Sequence, residues 1–231
     1  MLYTLEAARD NVRNRDGKRV FYLGSGDQLT ASARDYLSSE RIEILPAEQA
    51  RIAQYQLLGG GYVTEKPEHM THLNASVLVS KTHPRIAFRG AVDTLQAQIL
   101  LCQLVSDAPL RAQLGEILAL SRNLIRYDVL DEPVADVPLC GMTQKQLRER
   151  SHFPQKFYSQ PHFMPEYDDG EVILRLNGVR CACRHAELMA VHAFTDCDGQ
   201  VKREDILRAL NRMSSMVYIL MIEQKAKRQK E

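Results

Sequence analysis

Apolar residues recur at intervals of three and four positions through most of the sequence after residue 84, and this period constrains the fold more than any other feature. It predicts long helices over residues 84–104, 109–131, 172–193 and 203–225. A short helix is predicted over residues 143–150, opened by a capping box between Thr143 and Gln146. Helices that each have one apolar face and short connections bury those faces best side by side. The sequence therefore predicts a mainly α protein built on an antiparallel, five-helix-type bundle.

The first quarter of the sequence has a different pattern, typical of a small strand-helix-strand unit. Alternating apolar residues predict strands over residues 18–23 and 41–45, and Thr30 is a candidate cap for a helix over residues 31–39. Three glycines at 59–61 mark either a flexible joint or a tight bend, and residues 63–79 have no helical period. We expect an α/β unit at 1–58, a Gly-rich joint and loop at 59–83, and a helical domain at 84–231.

Composition excludes several classes of function. The 231 residues carry a net charge of +1, which gives no bulk electrostatic case for binding nucleic acid or an anionic membrane. The basic end of the sequence, residues 225–230, is interpreted as a solvated helix terminus. Five cysteines argue against a disulfide framework, and neither a secretory signal nor a membrane-spanning apolar run is present. We expect a cytoplasmic protein.

Two arginines and a glutamate on one predicted helix are the best lead to function. Arg180, Arg184 and Glu187 are spaced i, i+4 and i+7, which places them on one stripe. Their helix is otherwise rich in apolar and small residues. Guanidinium and carboxylate groups are costly to bury unless they are paired or hold an anion. Asp93, in the middle of the first bundle helix, either faces solvent or pairs with an arginine of a facing helix.

Cations and hydroxyls are grouped just before the first bundle helix. Lys66, Ser80, Lys81, Thr82 and Arg85 suit a polyphosphate at a helix N-terminus, although neither a Walker A nor a Gly-x-Gly-x-x-Gly pattern is present. The group is therefore a candidate phosphate site without a standard phosphate-binding motif.

Two further groups of polar residues have an ordinary interpretation beside a functional one. Asn211, Ser214 and Tyr218 form a polar stripe on the last helix, which either faces solvent or binds a nucleoside. Cys181 and Cys183 are spaced i, i+2 and so cannot readily share a metal ion. We therefore predict no metal site at these cysteines.

Three motifs, in order along the chain, resemble those of the propanediol-utilization-type ATP:cob(I)alamin adenosyltransferases. Residues 79–86, Val-Ser-Lys-Thr-His-Pro-Arg-Ile, are followed by Arg-Gly-Ala-Val-Asp at 89–93. Arg-x-x-x-Arg-x-x-Glu at 180–187 is similar to the signature Arg-x-x-x-Arg-Arg-x-Glu, and Leu-Asn-Arg-Met-Ser at 210–214 is similar to Leu-Asn-Arg-Leu-Ser. Further segments resemble the ethanolamine-utilization branch of these enzymes: residues 29–34, 66–67, 71–73, 131–133 and 210–218.

The resemblance implies a function and a set of partners. Such enzymes transfer the 5′-deoxyadenosyl group of ATP to cob(I)alamin and release triphosphate, with Mg²⁺ accompanying the nucleotide. They form a helical bundle, typically a homotrimer with active sites between subunits; a dimer is the alternative here. A flavoprotein reductase, an adenosylcobalamin-dependent lyase and a bacterial microcompartment are the implied partners and location. The alternative is a non-catalytic corrinoid- or nucleotide-binding protein, or a microcompartment scaffold.

Carried over by position, the resemblance assigns a role to each candidate residue. The loop at 59–83 would be the nucleotide loop, with Lys66, Ser80 and Lys81 on the triphosphate. Arg184 would hold the ATP phosphates, Glu187 would lie in the nucleotide site and Asn211 would bind the nucleoside. Arg180 would pair with Asp93 across the bundle and the subunit contact, and both are catalytic candidates beside Arg184. His162 or Phe163, close to Pro165, would bind the corrinoid and displace its lower ligand.

The chain also departs from the family in three places. The Thr-Lys-Thr-Gly-Asp nucleotide loop of the propanediol branch is replaced by residues 64–71. His185 stands at the second signature arginine. Residues 46–66 contain no cysteine or histidine, so the metal motif that some ethanolamine-branch members carry there is not expected.

Overall fold

The structure is a computed structural model that describes residues 1–15, 17–50 and 55–229. The chain separates into two units, one made of residues 1–54 and 63–65 and the other of residues 55–62 and 66–231. The boundaries that we predict at residues 58 and 83 remain predictions.

The smaller unit contains the predicted strand-helix-strand motif. Its strands are β1 Leu2–Tyr3, β2 Arg13–Arg15, β3 Lys18–Leu23, β4 Gln28–Leu29 and β5 Glu43–Pro46, and its helices are α1 Leu5–Asp10 and α2 Ala31–Ser39. Strands β3 and β5, which precede and follow α2 in the sequence, pair in parallel. Strand β2 pairs with β3 in the antiparallel direction. Thr30 caps α2, as predicted, because its side chain accepts the Ala33 N–H. Phe21 and Leu37 lie fully buried in the small core.

Short strands precede the bundle where the sequence shows no helical period. They are β6 Tyr55–Leu57, β7 Tyr62–Val63, β8 Met70–Asn74 and β9 Val77–Ser80, in the order β7-β6-β9-β8. The glycines at 59–61 form the turn between β6 and β7, where Gly60 and Gly61 have φ of 98° and 85°. These left-handed angles favour glycine, so the tight bend, and not the flexible joint, is the correct interpretation. The β8–β9 hairpin then leads directly into the first bundle helix.

The remaining helices form the predicted bundle. They are α3 Pro84–Leu104, α4 Ala108–Leu130, α5 Gln144–His152, α6 Pro154–Tyr158, α7 Glu171–Phe194 and α8 Glu204–Arg228. Helix α7 packs between α3 and α8, α4 packs on α3, and α5 packs on α8. The Phe88 ring near the start of α3 contacts the Phe194 ring at the end of α7, with centroids 5.3 Å apart, so these helices run antiparallel. The mainly α, five-helix-type bundle is therefore confirmed. Helix α6 is an additional short helix that lies outside the helices predicted from the apolar period.

The apolar faces predicted from the helical period form one continuous core. Its members include Leu95 and Ile99 of α3, Leu114 of α4, Leu176 of α7 and Leu210 of α8. Among the described residues, none of the helices combines the length and the apolar composition that crossing a membrane requires.

Candidate active site

Two arginines at the start of α3 share one buried carboxylate. Arg85 Nε lies 2.8 Å from Asp128 Oδ1, and Arg89 Nε lies 2.7 Å from Asp128 Oδ2. The Asp128 side chain, from α4, is 0% exposed. Charge-assisted bonds of this kind are strong, and a buried carboxylate needs them. The guanidinium of Arg85 is thus engaged by Asp128 within the chain, and its grouping with the phosphate-binding candidates remains a prediction.

The same ion cluster attaches the β8–β9 hairpin to the bundle. Arg89 Nη2 donates to the Leu73 carbonyl at 2.6 Å, and Nη1 donates to the His72 carbonyl at 3.3 Å. Both carbonyls belong to β8, whereas Arg89 belongs to α3 and Asp128 to α4. The cluster thus fixes the hairpin whose last strand ends at Ser80, one residue before Lys81.

The predicted phosphate-binding lysines of the loop, Lys66 and Lys81, are exposed, and Ser80 is half-buried. Lys81 Nζ lies 3.1 Å from Glu68 Oε1, and this bond, with the charge of Lys66, holds the pKa of Glu68 below its ordinary value. The Ser80 and Thr82 hydroxyls are 2.8 Å apart, and Lys66 is exposed. An ion pair between exposed groups is weak. Lys81 can therefore exchange Glu68 for an anionic ligand at little cost.

The stripe on α7 faces the polar stripe of α8. Asn211 Nδ2 donates to Glu187 Oε1 at 3.0 Å, which joins two of the residues predicted to bind ATP. Arg180 is half-buried, whereas Arg184 is exposed and makes no hydrogen bond or ion pair with any residue that the structure describes. Arg184 is thus a guanidinium held on a rigid helix with its charge uncompensated.

The predicted pair between Arg180 and Asp93 is absent within the chain. Arg180 Nε and Nη2 instead donate to Asn177 Oδ1, one turn earlier on α7, at 3.2 and 3.1 Å. Asp93 is exposed on α3. A pair across a subunit contact remains a prediction.

A cavity of about 220 Å³ opens between α5, α7 and α8. Its lining is mostly polar and consists of Ser151, His152, Arg180, Asn211, Ser214, Ser215 and Tyr218. The polar stripe of α8 therefore borders a cavity together with one of the signature arginines. Hydroxyl, amide and guanidinium groups converging on a concave surface are typical of a ligand site.

The predicted corrinoid residues lie beside this cavity. His162 and Phe163 both stack on the Tyr218 ring, with centroids 5.8 and 6.1 Å away. His162 Nδ1 lies 3.1 Å from the Tyr218 hydroxyl. His162 is exposed and Phe163 is half-buried. The His162 and Phe163 rings are thus next to the cavity, where they could contact an apolar face of a ligand.

Sequence reasoning missed one charged residue near the site. Arg212 follows Asn211 and is half-buried, and burial together with the charges of Arg148 and Arg208 lowers the pKa of its guanidinium. Arg212 could have been identified from the sequence, because it lies inside the Leu-Asn-Arg-Met-Ser motif. The cysteines of α7, by contrast, lie apart as their spacing predicts: Cys183 is buried, which raises the pKa of its thiol, and Cys181 is exposed.

The candidate residues form two separate groups within one chain. One group lies in the loop before α3 and consists of Lys66, Ser80 and Lys81. The other lies along the seam between α7 and α8 and consists of Arg180, Arg184, Glu187 and Asn211. Among the described residues, no hydrogen bond or ion pair joins the two groups. Helix α3 begins beside the C-terminal end of α7, whereas the seam residues lie further back along that helix.

Comparison with known proteins assigns the chain to a family. A sequence model described as cobalamin adenosyltransferase matches residues 61–224, which include every candidate residue discussed above. The corrinoid adenosyltransferase EutT of Salmonella typhimurium is 36% identical over 95% of this chain and 90% of that protein. The EutT protein of Escherichia coli K12 is 34% identical over 93% of this chain and 88% of that protein. The chain belongs to the cobalamin adenosyltransferase family.

A solved structure supports the fold. A variant of the PduO-type ATP:corrinoid adenosyltransferase from Lactobacillus reuteri, complexed with cobalamin and ATP, superposes with a TM-score of 0.50. The alignment covers 80% of this chain and 92% of that chain at 18% sequence identity. At this identity the likeness shows the fold alone, a helical bundle that this family uses.

Proposed function

We propose that the chain transfers the 5′-deoxyadenosyl group of ATP to cob(I)alamin, forming adenosylcobalamin and inorganic triphosphate. The cobalt supplies the electron pair of the new cobalt–carbon bond, and the C5′–O bond breaks with its pair leaving on the triphosphate. The observation that carries the proposal is the family match over residues 61–224, which contains both groups of candidate residues. The ethanolamine-utilization relatives are similar over nearly the whole chain.

The proposed chemistry requires no nucleophilic side chain. Because cob(I)alamin is itself the nucleophile, the protein has to aim the 5′ carbon at cobalt and stabilise the charge that develops on the leaving triphosphate. Glu187 and Asn211, 3.0 Å apart, would hold the nucleoside. Arg184, exposed and uncompensated, would hold the phosphates. These roles follow from the family motif and are compatible with the positions of the three side chains.

The loop before α3 would hold the triphosphate. Lys81 would exchange its bond to Glu68 for a phosphate oxygen, with Lys66 and Ser80 beside it. The loop also offers oxygen donors that suit Mg²⁺, namely the Glu68 carboxylate and the Ser80 and Thr82 hydroxyls. When bound, Mg²⁺ would neutralise part of the triphosphate charge. The donor set thus fits an ion that is held mainly through the nucleotide.

We infer that the site is completed between subunits of a homo-oligomer, a trimer by family resemblance. The separation of the loop group from the seam group within one chain supports this arrangement. So does exposed apolar surface on the bundle: Leu104 of α3 is 77% exposed and Leu188 of α7 is 63% exposed. A subunit contact would also provide the setting in which Arg180 of one chain meets Asp93 of another.

The chemistry of the reaction also indicates which proteins would supply its substrate and consume its product. Cob(I)alamin is a strongly reduced species, so an electron donor such as a flavoprotein reductase must supply it. The product would be consumed by an adenosylcobalamin-dependent lyase, as in ethanolamine utilization, and a microcompartment would keep both close to this enzyme.

A second candidate function is binding without catalysis. The glycine-rich nucleotide loop of the propanediol branch is missing, and His185 replaces an arginine of the signature. A bundle with these changes could retain affinity for corrinoid or ATP and act as a carrier.

An anaerobic assay separates the two functions. The full chain is incubated with chemically reduced cobalamin, ATP and Mg²⁺, and the product is followed by its visible spectrum and by the release of triphosphate. Catalysis predicts adenosylcobalamin and triphosphate in equal amounts. Binding of ATP in a calorimeter without either product would favour the binding protein and contradict the enzyme.

A further inference from the structure

The segment between α6 and α7 is attached to α8 and the residue that follows it at four places. We call residues 159–169 the strap; they connect α6 to α7 and include His162 and Phe163. Two attachments are at Tyr218 and at Lys225, two turns further along α8. The other two join Arg228 to the Asp168 carbonyl and Gln229 to Gln160. The strap has no helical period in the sequence, so none of these attachments could be predicted from its pattern.

The Tyr218 hydroxyl uses both its donor and its acceptor on the strap. It accepts the backbone N–H of Phe163 at 3.2 Å and lies 3.1 Å from His162 Nδ1. His162 Nε2 lies 3.1 Å from the carbonyl oxygen of His152, which can only accept. The proton of the neutral imidazole is therefore on Nε2, and Nδ1 accepts from the Tyr218 O–H. One hydroxyl thus fixes both strap residues.

Ring contacts reinforce these hydrogen bonds. The His162 and Phe163 rings lie at 10° and 25° to the Tyr218 ring, both in stacked arrangements. Lys225 Nζ lies 4.5 Å from the centroid of the Phe163 ring and 2.7 Å from Asp169 Oδ1. Phe163 is accordingly held by Tyr218 and, further along α8, by Lys225, and its orientation is set by both contacts.

Tyr218 also lines the cavity that contains Arg180 and Asn211. We propose that Tyr218 is a positioning residue: its hydroxyl holds the strap over this cavity, so that His162 and Phe163 present a fixed aromatic surface to the corrinoid. This inference rests on the proposed function, since it assumes that a corrinoid occupies the face of the cavity beside the strap. Tyr218 acts through His162 and Phe163, and its effect is on the corrinoid and not on ATP.

The test is the variant Tyr218→Phe, which keeps the ring and removes the hydroxyl. We expect kcat/KM for cob(I)alamin to fall about tenfold, the effect of losing one or two hydrogen bonds. The KM for ATP is expected to stay within about twofold of the wild type, because Asn211 and Glu187 do not depend on the hydroxyl. Tyr158→Phe is the matched control, because it removes the same atom at the end of α6, outside the lining of the cavity.

A double-mutant cycle separates positioning from a general structural role. If Tyr218 acts through His162, the loss in Tyr218→Phe/His162→Ala will be clearly smaller than the product of the two single losses. The proposal would be overturned if the effects of Tyr218→Phe and His162→Ala simply multiplied. It would also be overturned if Tyr218→Phe changed the KM for ATP as much as kcat/KM for the corrinoid, or left kcat/KM for the corrinoid unchanged. The wild-type protein provides the remaining distinction: if it forms no adenosylcobalamin, the proposed function fails, whereas an active wild type with an unaffected Tyr218→Phe overturns this inference alone.

Discussion

Arginines occupy opposite environments at the start of α3 and on α7. The side chains of Arg85 and Arg89 are 25% and 15% exposed and share the carboxylate of Asp128, which has no exposure. Arg184 of α7 is exposed and pairs with none of the described residues. The first two arginines are compensated by the protein and serve its architecture. The charge of Arg184 is available to a ligand.

The arginines at the start of α3 and Arg184 on α7 all belong to motifs that resemble those of the family. Residue type and motif membership alone would have put Arg85 with the phosphate-binding residues. Its partner Asp128 compensates its charge and takes two of its five N–H donors, so Arg85 offers a phosphate less than an arginine with no carboxylate partner. Compensation within the fold therefore distinguishes Arg85 and Arg89 from Arg184, which we propose binds the ATP phosphates.

The largest effect on stability is expected at Asp128. Asp128→Ala leaves two partly buried guanidiniums without a carboxylate, so we predict that the free energy of unfolding falls by about 3–5 kcal/mol. Urea denaturation followed by circular dichroism measures it. Glu171→Ala is the control, because Glu171 pairs with Arg175 at an exposed i, i+4 position, where about 0.5 kcal/mol is expected. A loss below about 1 kcal/mol for Asp128→Ala would remove the contrast between the two sets of arginines.

A smaller effect, on substrate binding, is expected at Asn211. Asn211→Ala removes an amide that lines the cavity and holds Glu187, so we predict that the KM for ATP rises about tenfold, or ~1.4 kcal/mol. Steady-state kinetics with saturating cob(I)alamin measures this change. Asn123→Ala, at an exposed position of α4, is the matched control. An unchanged KM for ATP in Asn211→Ala would mean that the nucleoside binds elsewhere.

The smallest effect is a contribution to acid sensitivity from the strap. The bond from Lys225 and the Glu166 N–H hold the pKa of Asp169 below its ordinary value. Because the folded-state pKa is the lower one, the stability that Asp169 adds is complete above about pH 4, its ordinary value, and is lost as pH falls through the lowered pKa. Unfolding free energies measured below about pH 4 should therefore decline more steeply in the wild type than in Asp169→Asn. Parallel curves would show that this ion pair adds nothing to stability.

Local features of the sequence predicted most of the bundle. The apolar period and the proline at its first turn locate α3, and the Thr143–Gln146 capping box locates the start of α5. These signals are local, which is why they can be found without the fold. The stripe of Arg180, Arg184 and Glu187 follows from helical spacing in the same way.

Tertiary partners could not be predicted in this way. Arg85 and Asp128 are 43 positions apart, and nothing in the pattern of α4 distinguishes Asp128 from an exposed residue. Tyr218 was identifiable as part of a polar stripe, but its partners lie in the strap, 55 and 56 positions earlier, where no period exists. Both contacts depend on how helices pack, which a single helix does not encode.

The most direct test of the account is the anaerobic turnover of Arg184→Ala, measured together with its thermal unfolding. The matched control is Arg175→Ala, which removes a half-buried arginine of the same helix that pairs with Glu171 outside the candidate site. We predict that Arg184→Ala lowers kcat/KM at least about 100-fold, the effect of losing a preorganised charge on the leaving group, with an unchanged melting temperature. Near-normal formation of adenosylcobalamin by Arg184→Ala, or an equal loss in Arg175→Ala, would contradict the claim that the uncompensated charge on α7 serves the reaction.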